Sequence, residues 1–423
     1  MEGRRKIIMD DSAKELYQER EKRVNDAVRL KEPDRVPVMS HFGFFPARYA
    51  GITFEEAMYD SDKMMKAWLN ATVEFEPDMY ENPYNNRFLG QIMESLDFKQ
   101  LKWPGHGTDV MSSYQYLENE YMKGDEYDSL LFDMTDFIIR TYWPRIFGAL
   151  ESFKNLPPLH DIISYYMGLP HLAAFDNPAI FNAIESLLKA AKAAKTMLSE
   201  AAKFAEKMKE LGFPPQFGSL SQAPFDTLSD FFRGTKGAML DMFRNPEKLL
   251  EATEKLLPVM LNLGLRAKDR DAARVFIPLH KGLDGFMSED QFKTFYWPTL
   301  KKLICGLADE GLTPFIFWEG ACNSRLEIIG DIPKGKVVYW FERTDIFKAK
   351  EILGDNVCIR GNVPLSMLCT GTPEDIKGYC KSLIDIVGKG GGFIMDSSTV
   401  IDDAKPENVK AMMDFTKEYG VYG

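Results

Sequence analysis

Apolar and polar positions follow two periods along this chain. Residues 11–30 are dense in charge and predict a solvated helix, ended by Asp34-Arg35 against the run Val36-Pro37-Val38-Met39-Ser40, which predicts a first strand. Thr53-Phe54-Glu55-Glu56 has the form of a capping box and opens a helix that runs to about Phe75. Glu76-Pro77-Asp78-Met79-Tyr80 predicts a short second strand. Residues 81–215 then form a long aromatic-rich segment, expected as a helical insertion or lid. Its last part, residues 182–211, is Ala/Lys/Glu-rich at helical spacing and stops at Gly212 with Pro214-Pro215.

Beyond that stop the pattern becomes regular. Short β-type runs at 216–220, 275–280, 313–318, 336–341, 357–361 and 392–396 alternate with amphipathic helices. Helix starts are marked at Asn245-Pro246, at Ser288-Glu289-Asp290-Gln291 and at Thr372-Pro373-Glu374-Asp375. Leu249, Leu250, Thr253, Leu256, Leu257, Met260 and Leu261 recur three and four apart, giving one helix an apolar stripe to set on a sheet. Six late strands and two early ones make eight. Strand and helix in alternation favour a parallel sheet, and eight repeats favour a (β/α)8 TIM barrel over residues 1–423 as one domain, with 81–215 inserted between strands 2 and 3. No GxGxxG follows a strand, and the Gly388-Lys389-Gly390-Gly391-Gly392 stretch lacks the Ser or Thr of a phosphate-binding loop.

Composition narrows the function. Of 423 residues, 45% are hydrophobic and 27% charged, the balance of an ordinary globular protein. A net charge of −11 opposes binding to a nucleic acid. No apolar run is long enough to span a membrane, and the opening MEGRRKIIMD lacks an apolar leader, so the chain is expected in the cytoplasm, with no membrane partner. Five cysteines, none in a CxxC pair, suit a reducing compartment.

In a parallel barrel, reacting side chains collect where the strands end. Those ends carry His41, Asp78, His280, Glu319, Arg343, Arg360, Asn362 and Asp396. Glu319 is the sharpest candidate, because it follows Phe315-Ile316-Phe317-Trp318 and precedes Gly320; apolar surroundings raise a carboxyl pKa and suit proton transfer. The plain alternative is a cap or a salt bridge to a loop arginine such as Arg325. His280 and His41 are the other catalytic candidates, each weighed against burial as an ordinary core histidine. Asp78, Trp318, Arg343, Arg360, Asn362 and Asp396 are the candidate substrate-binding residues, with the two arginines suited to a carboxylate and Glu342-Arg343 also readable as an internal ion pair.

Several stretches together resemble the uroporphyrinogen decarboxylase superfamily: Arg35-Val36-Pro37-Val38, Ala223-Pro224-Phe225 leading to Phe232-Arg233-Gly234, Met287-Ser288-Glu289-Asp290-Gln291-Phe292 before Trp297-Pro298, Gly361-Asn362-Val363-Pro364, Gly371-Thr372-Pro373-Glu374 and Pro406-Glu407-Asn408-Val409. The resemblance implies a (β/α)8 barrel, a homodimer, and either decarboxylation or corrinoid-dependent methyl transfer. The decarboxylase's arginine-rich loop is replaced by His41-Phe42-Gly43-Phe44-Phe45, its tyrosine by Asp230, and its histidine after the eighth strand by Ser397. The zinc methyltransferases' His-x-Cys-Gly motif reads Phe317-Trp318-Glu319-Gly320 here. Zinc is therefore not expected; a rearranged set of His280, Glu319 and Cys322 is the only candidate. The Asp-x-His-x-x-Gly corrinoid signature is missing, so no cofactor is expected to be tightly bound, and cobalamin would arrive on a partner corrinoid protein. The expectation is a methyltransferase acting on a small methyl donor, aromatic donors included; the alternatives are a decarboxylase of a carboxylic acid and a non-catalytic ligand-binding barrel.

Overall fold

The computed structural model describes residues 11–423; the first ten, on which the leader reading rests, lie outside the described residues. Nine strands are present among the described residues. β1 (Leu101–Pro104), β2 (Gly107–Thr108) and β3 (Gln115–Tyr116) form a small sheet within 81–215, a segment expected to be helical. β4 (Ser219–Leu220), β5 (Arg274–Leu279), β6 (Thr313–Trp318), β7 (Val338–Phe341), β8 (Cys358–Arg360) and β9 (Phe393–Ile394) form an all-parallel sheet in chain order. Helices separate them, including Pro246–Leu265 with Leu249, Thr253, Leu256 and Met260 buried along the expected stripe.

The two early runs join this sheet as isolated bridges rather than as ladders. Val38 bridges Met395 beyond β9, and Tyr80 bridges Pro215 before β4. Asp78 N donates to Val38 O (2.8 Å), linking the two runs to each other. Pro37 and Pro77 each remove a ladder donor, which explains why neither run builds a regular strand. The α/β fold with a parallel sheet is thus observed, and its order is consistent with the TIM barrel expected.

Capping is legible at three predicted starts. Reciprocal capping boxes form at Thr53/Glu56, Ser288/Gln291 and Thr372/Asp375. Asn245 does not cap: its side chain donates to Asp241 (3.4 Å), one turn back. The charged helix Asp11–Val28 is not solvated all round. It buries Arg20 and Arg23 with Val24, Ala27 and Val28 against the sheet's amino end.

Strand alternation sorts side chains to two faces. In β6, Phe317 stacks on Trp340 (3.8 Å between centroids) and Phe315 meets Phe217 on one face, which the helix Asp11–Val28 covers at its amino end. Ile316 and Trp318 instead enter the cluster formed with the surrounding helices, which also holds Leu300, Leu303 and Leu326.

Candidate functional site

Three of the expected side chains converge at the carboxyl ends of the strands. β5 ends one residue before His280, and β6 ends one residue before Glu319. Because β5 and β6 run parallel with Leu279 opposite Trp318, the next residues of both strands stand side by side. His280 Nε2 lies 3.5 Å from Glu319 Oε2. Gly320 fixes the turn after Glu319: its φ is +148°, and a Cβ there would meet Leu283 at 2.6 Å. Arg325 does not neutralise Glu319. It is buried, donating to Gly282 O and Met287 O, with Asp284 at 4.0 Å.

The other face of His280 is held by acids from the helical stretch that follows β4. His280 Nδ1 is 2.5 Å from Asp230 Oδ2, which also accepts from Gln222 Nε2 (2.9 Å), while Lys281 Nζ is 3.4 Å from Asp230 Oδ1. Asp226, fully buried, accepts from the amides of His280 and Lys281 (2.9 Å each) and from Tyr296 Oη (2.6 Å). Backbone and ring of His280 are therefore both fixed.

This arrangement moves proton affinities. Burial alone would lower the His280 pKa, but the Asp230 hydrogen bond and the charges of Asp226, Asp230 and Glu319 outweigh it and raise the value to about 9. Burial raises the Glu319 carboxyl above the usual range; His280 and His41 pull it back, and Glu342 and Asp230 push it up. Asp226 is pushed up to about 6, by burial first and by Asp230 second. At neutral pH the site thus holds an imidazolium beside a carboxyl of raised proton affinity.

His41 reaches the same place from the run after Val38. It is buried, with its ring 5.5 Å from Phe276 and 5.3 Å from Trp340. Its Nδ1 lies 2.7 Å from Glu81 Oε2, an ion-pair contact whose angles fall short of a hydrogen bond. Burial alone would raise the Glu81 pKa, yet the His41 charge and contact, with help from Arg87 and Asn86, bring it below its ordinary value.

The remaining candidates divide. Asn362 and Arg343 line a cavity of about 590 Å³ with Glu342, Thr344, Tyr379 and Ser398. Asn362 Nδ2 donates to Thr344 O (3.3 Å), and its Oδ1 accepts from Tyr379 Oη (3.0 Å). The Arg343 side chain is 74% exposed, with Glu342 3.6 Å away, so this pair is not internal.

Asp78, Arg360, Asp396 and Trp318 are not presented to a ligand. Asp78 begins the second run instead of ending it; it is sealed by Arg23 Nη1 (2.7 Å), Arg35 Nη2 (2.8 Å) and the Val38 amide (2.8 Å). Arg360 and Asp396 form a fully buried pair at 2.5 Å, with Gln216 Oε1 accepting from Arg360 (3.0 Å) and the guanidinium 4.4 Å from the Trp340 centroid. Trp318 packs edge-on against Tyr339 on the helix side, opposite to Glu319.

Cys322 does not join His280 and Glu319. Its thiol contacts Thr344 Oγ1 (3.2 Å) in the helix-side core, and burial pushes its pKa up to about 12. Among the described residues no three His, Cys, Asp or Glu side chains stand in metal-holding geometry. The residues present do not fit the zinc set written above.

Four residues were missed as site groups. Glu81 is the true end of the second run, which Pro77 starts later than the apolar pattern suggested. Asp226 and Asp230 lie four apart in one helical stretch, a like-charge spacing that costs stability unless an outside cation compensates, and that spacing was a usable signal. Tyr296, before Trp297-Pro298, carried none.

Known proteins agree with this architecture. Residues 167–419 match the family model described as uroporphyrinogen decarboxylase. The uroporphyrinogen decarboxylase of Chlorobium phaeovibrioides (strain DSM 265 / 1930) is 29% identical over 185 residues, which is 42% of this chain and 51% of that protein. The one from Methylococcus capsulatus (strain ATCC 33009 / NCIMB 11132 / Bath) is 30% identical over 186 residues, again 42% and 51%. The chain spans about half the length of the curated relatives it matches. A methyltransferase from Methanosarcina mazei shares the fold, with a TM-score of 0.61 at 16% identity, over 94% of this chain and 98% of that one. Since the family match takes in more than half of the chain and all of β4 to β9, the chain belongs to the uroporphyrinogen decarboxylase family.

Proposed function

We propose that the six-stranded sheet and the two bridged runs act as a closed (β/α)8 barrel whose mouth transfers a methyl group from a small, uncharged methyl donor, such as an aryl or alkyl methyl ether, to a corrinoid on a partner protein. The observation that carries this reading is the Asp230–His280–Glu319 chain, in which an imidazolium stands 3.5 Å from a carboxyl of raised pKa. The corrinoid, when its carrier docks, supplies the nucleophilic cobalt that accepts the methyl group. What this chain must supply is a proton for the departing oxygen, which would otherwise leave as an alkoxide or phenoxide. Glu319 Oε2 gives that proton, and His280 Nε2 restores it while Asp230 holds the imidazolium in place. His41, backed by Glu81, bears on Glu319 from the aromatic wall of Phe276 and Trp340.

A decarboxylase of a carboxylic acid is the second reading, in keeping with the names of the relatives. The carboxylates Glu81, Asp230, Glu319 and Glu342 oppose an anionic substrate, and Arg360 is already spent on Asp396. Of the two arginines considered for a carboxylate, Arg343 is the exposed one.

Mixing the protein with a reduced corrinoid protein and a panel of methyl donors tests the proposal. Demethylation that disappears in Glu319→Gln is expected. Release of carbon dioxide from an acid, with no demethylation, would replace it by the lyase; tight ligand binding with neither reaction would leave a non-catalytic barrel.

A further inference from the structure

Buried arginines in this fold are held by acceptor oxygens. Arg20 and Arg325 donate to backbone carbonyls, and Arg23, Arg233, Arg274 and Arg360 to carboxylates. Arg87 is the exception. It is 9% exposed, yet its guanidinium makes no hydrogen bond or ion pair with any described residue, and its Nε is buried without an acceptor. The Phe44 ring lies beside it, 5.5 Å from the guanidinium carbon to the centroid. An N–H taken out of water with no acceptor forfeits its hydration. The charge itself is balanced nearby, since it helps to hold Glu81 below its ordinary pKa. What Arg87 lacks is an oxygen to receive its hydrogen.

The residue before it lacks the reverse. Asn86 Nδ2 donates to Glu81 Oε1 (2.6 Å), which fixes the orientation of the amide, because an ionised carboxylate only accepts. Asn86 Oδ1 is left buried with no donor. Consecutive residues thus hold one open donor and one open acceptor, and Asn86 is tied to the Glu81 carboxylate that meets His41 at the mouth. An anionic group would satisfy Arg87 but not the Asn86 oxygen, and it would be repelled by Glu81. We infer that Asn86 and Arg87 form a polar subsite on the His41 side of the mouth for a neutral group that accepts and donates at once, a hydroxyl or a primary carboxamide carried by the substrate. The inference rests on the reading above in taking that substrate to be a methyl ether.

Calorimetric binding to the full chain, with no corrinoid present, tests it. The probes are methoxybenzene and the isomeric methoxyphenols, methoxybenzamides and methoxybenzoates. The best phenol or amide should bind about 10- to 100-fold more tightly than methoxybenzene. Arg87→Met should abolish that margin and still bind methoxybenzene; the series that shows the margin, phenol or amide, names the group. Because Arg87 has no bond to lose, the urea midpoint of Arg87→Met should hold or rise, and a fall would assign Arg87 to the fold and overturn the inference. Equal binding of all neutral probes, binding of none, tightest binding by a methoxybenzoate, or a margin that persists in Arg87→Met overturns it too. A margin seen in a protein that demethylates nothing supports the subsite and counts against the proposed reaction alone.

Discussion

Two groups of carboxylates serve this fold, and they differ in the cation that holds them. Asp78 and Asp396 are gripped by arginines and are wholly removed from solvent. Asp230 and Glu319 are gripped by a histidine whose side chain is 32% exposed. Arginine remains charged at any physiological pH, so the first group can only be structural; histidine can lose its charge, so the second can move protons. The same acid types thus divide by partner and burial, not by strand position.

The largest effects should come from breaking the arginine-held group. Asp396→Asn leaves the Arg360 guanidinium buried without its counter-charge and should cost about 3–5 kcal/mol of folding stability, read as a fall in the urea midpoint. Glu319→Gln should leave that midpoint within about 0.5 kcal/mol. Its effect belongs in turnover, a loss of about 10²–10⁴-fold if Glu319 is the acid. Equal destabilisation by both substitutions would erase the distinction.

A middle-sized effect is expected at Tyr296→Phe. It removes the phenol that donates to buried Asp226 and should cost about 1–3 kcal/mol. The pH dependence of stability comes next. The folded His280 value, about 9, lies above its ordinary value of 6.5. Its stabilisation is therefore complete below about pH 6.5 and disappears as pH rises through about 9. Denaturant midpoints of the parent minus those of His280→Asn should shrink over that window, and a difference that grows with pH would contradict the assignment. The smallest effect is expected at exposed Arg343, where Arg343→Gln should change stability by less than about 0.5 kcal/mol.

Fold and site were legible to different depths. The six late strands and three helix caps follow from short-range patterns, because short apolar runs rich in β-branched and aromatic residues and Thr or Ser starts act locally. The early strands are shorter than their apolar runs, since Pro37 and Pro77 withdraw donors. Glu319, His280 and His41 could be read as strand ends. Asp78, Arg360 and Asp396 could be read the same way, yet their partners lie between 36 and 144 residues away, and sequence spacing does not announce such pairings. Trp318 misled for a simpler reason: it neighbours Glu319 in sequence but faces the opposite side of β6.

The direct test of the central claim is the titration of the His280 imidazole, followed by NMR in the free protein and in Asp230→Asn. The account predicts a midpoint near 9 in the parent and a clear fall in the variant. A parent midpoint near the ordinary 6.5, or one that Asp230→Asn does not move, would contradict it.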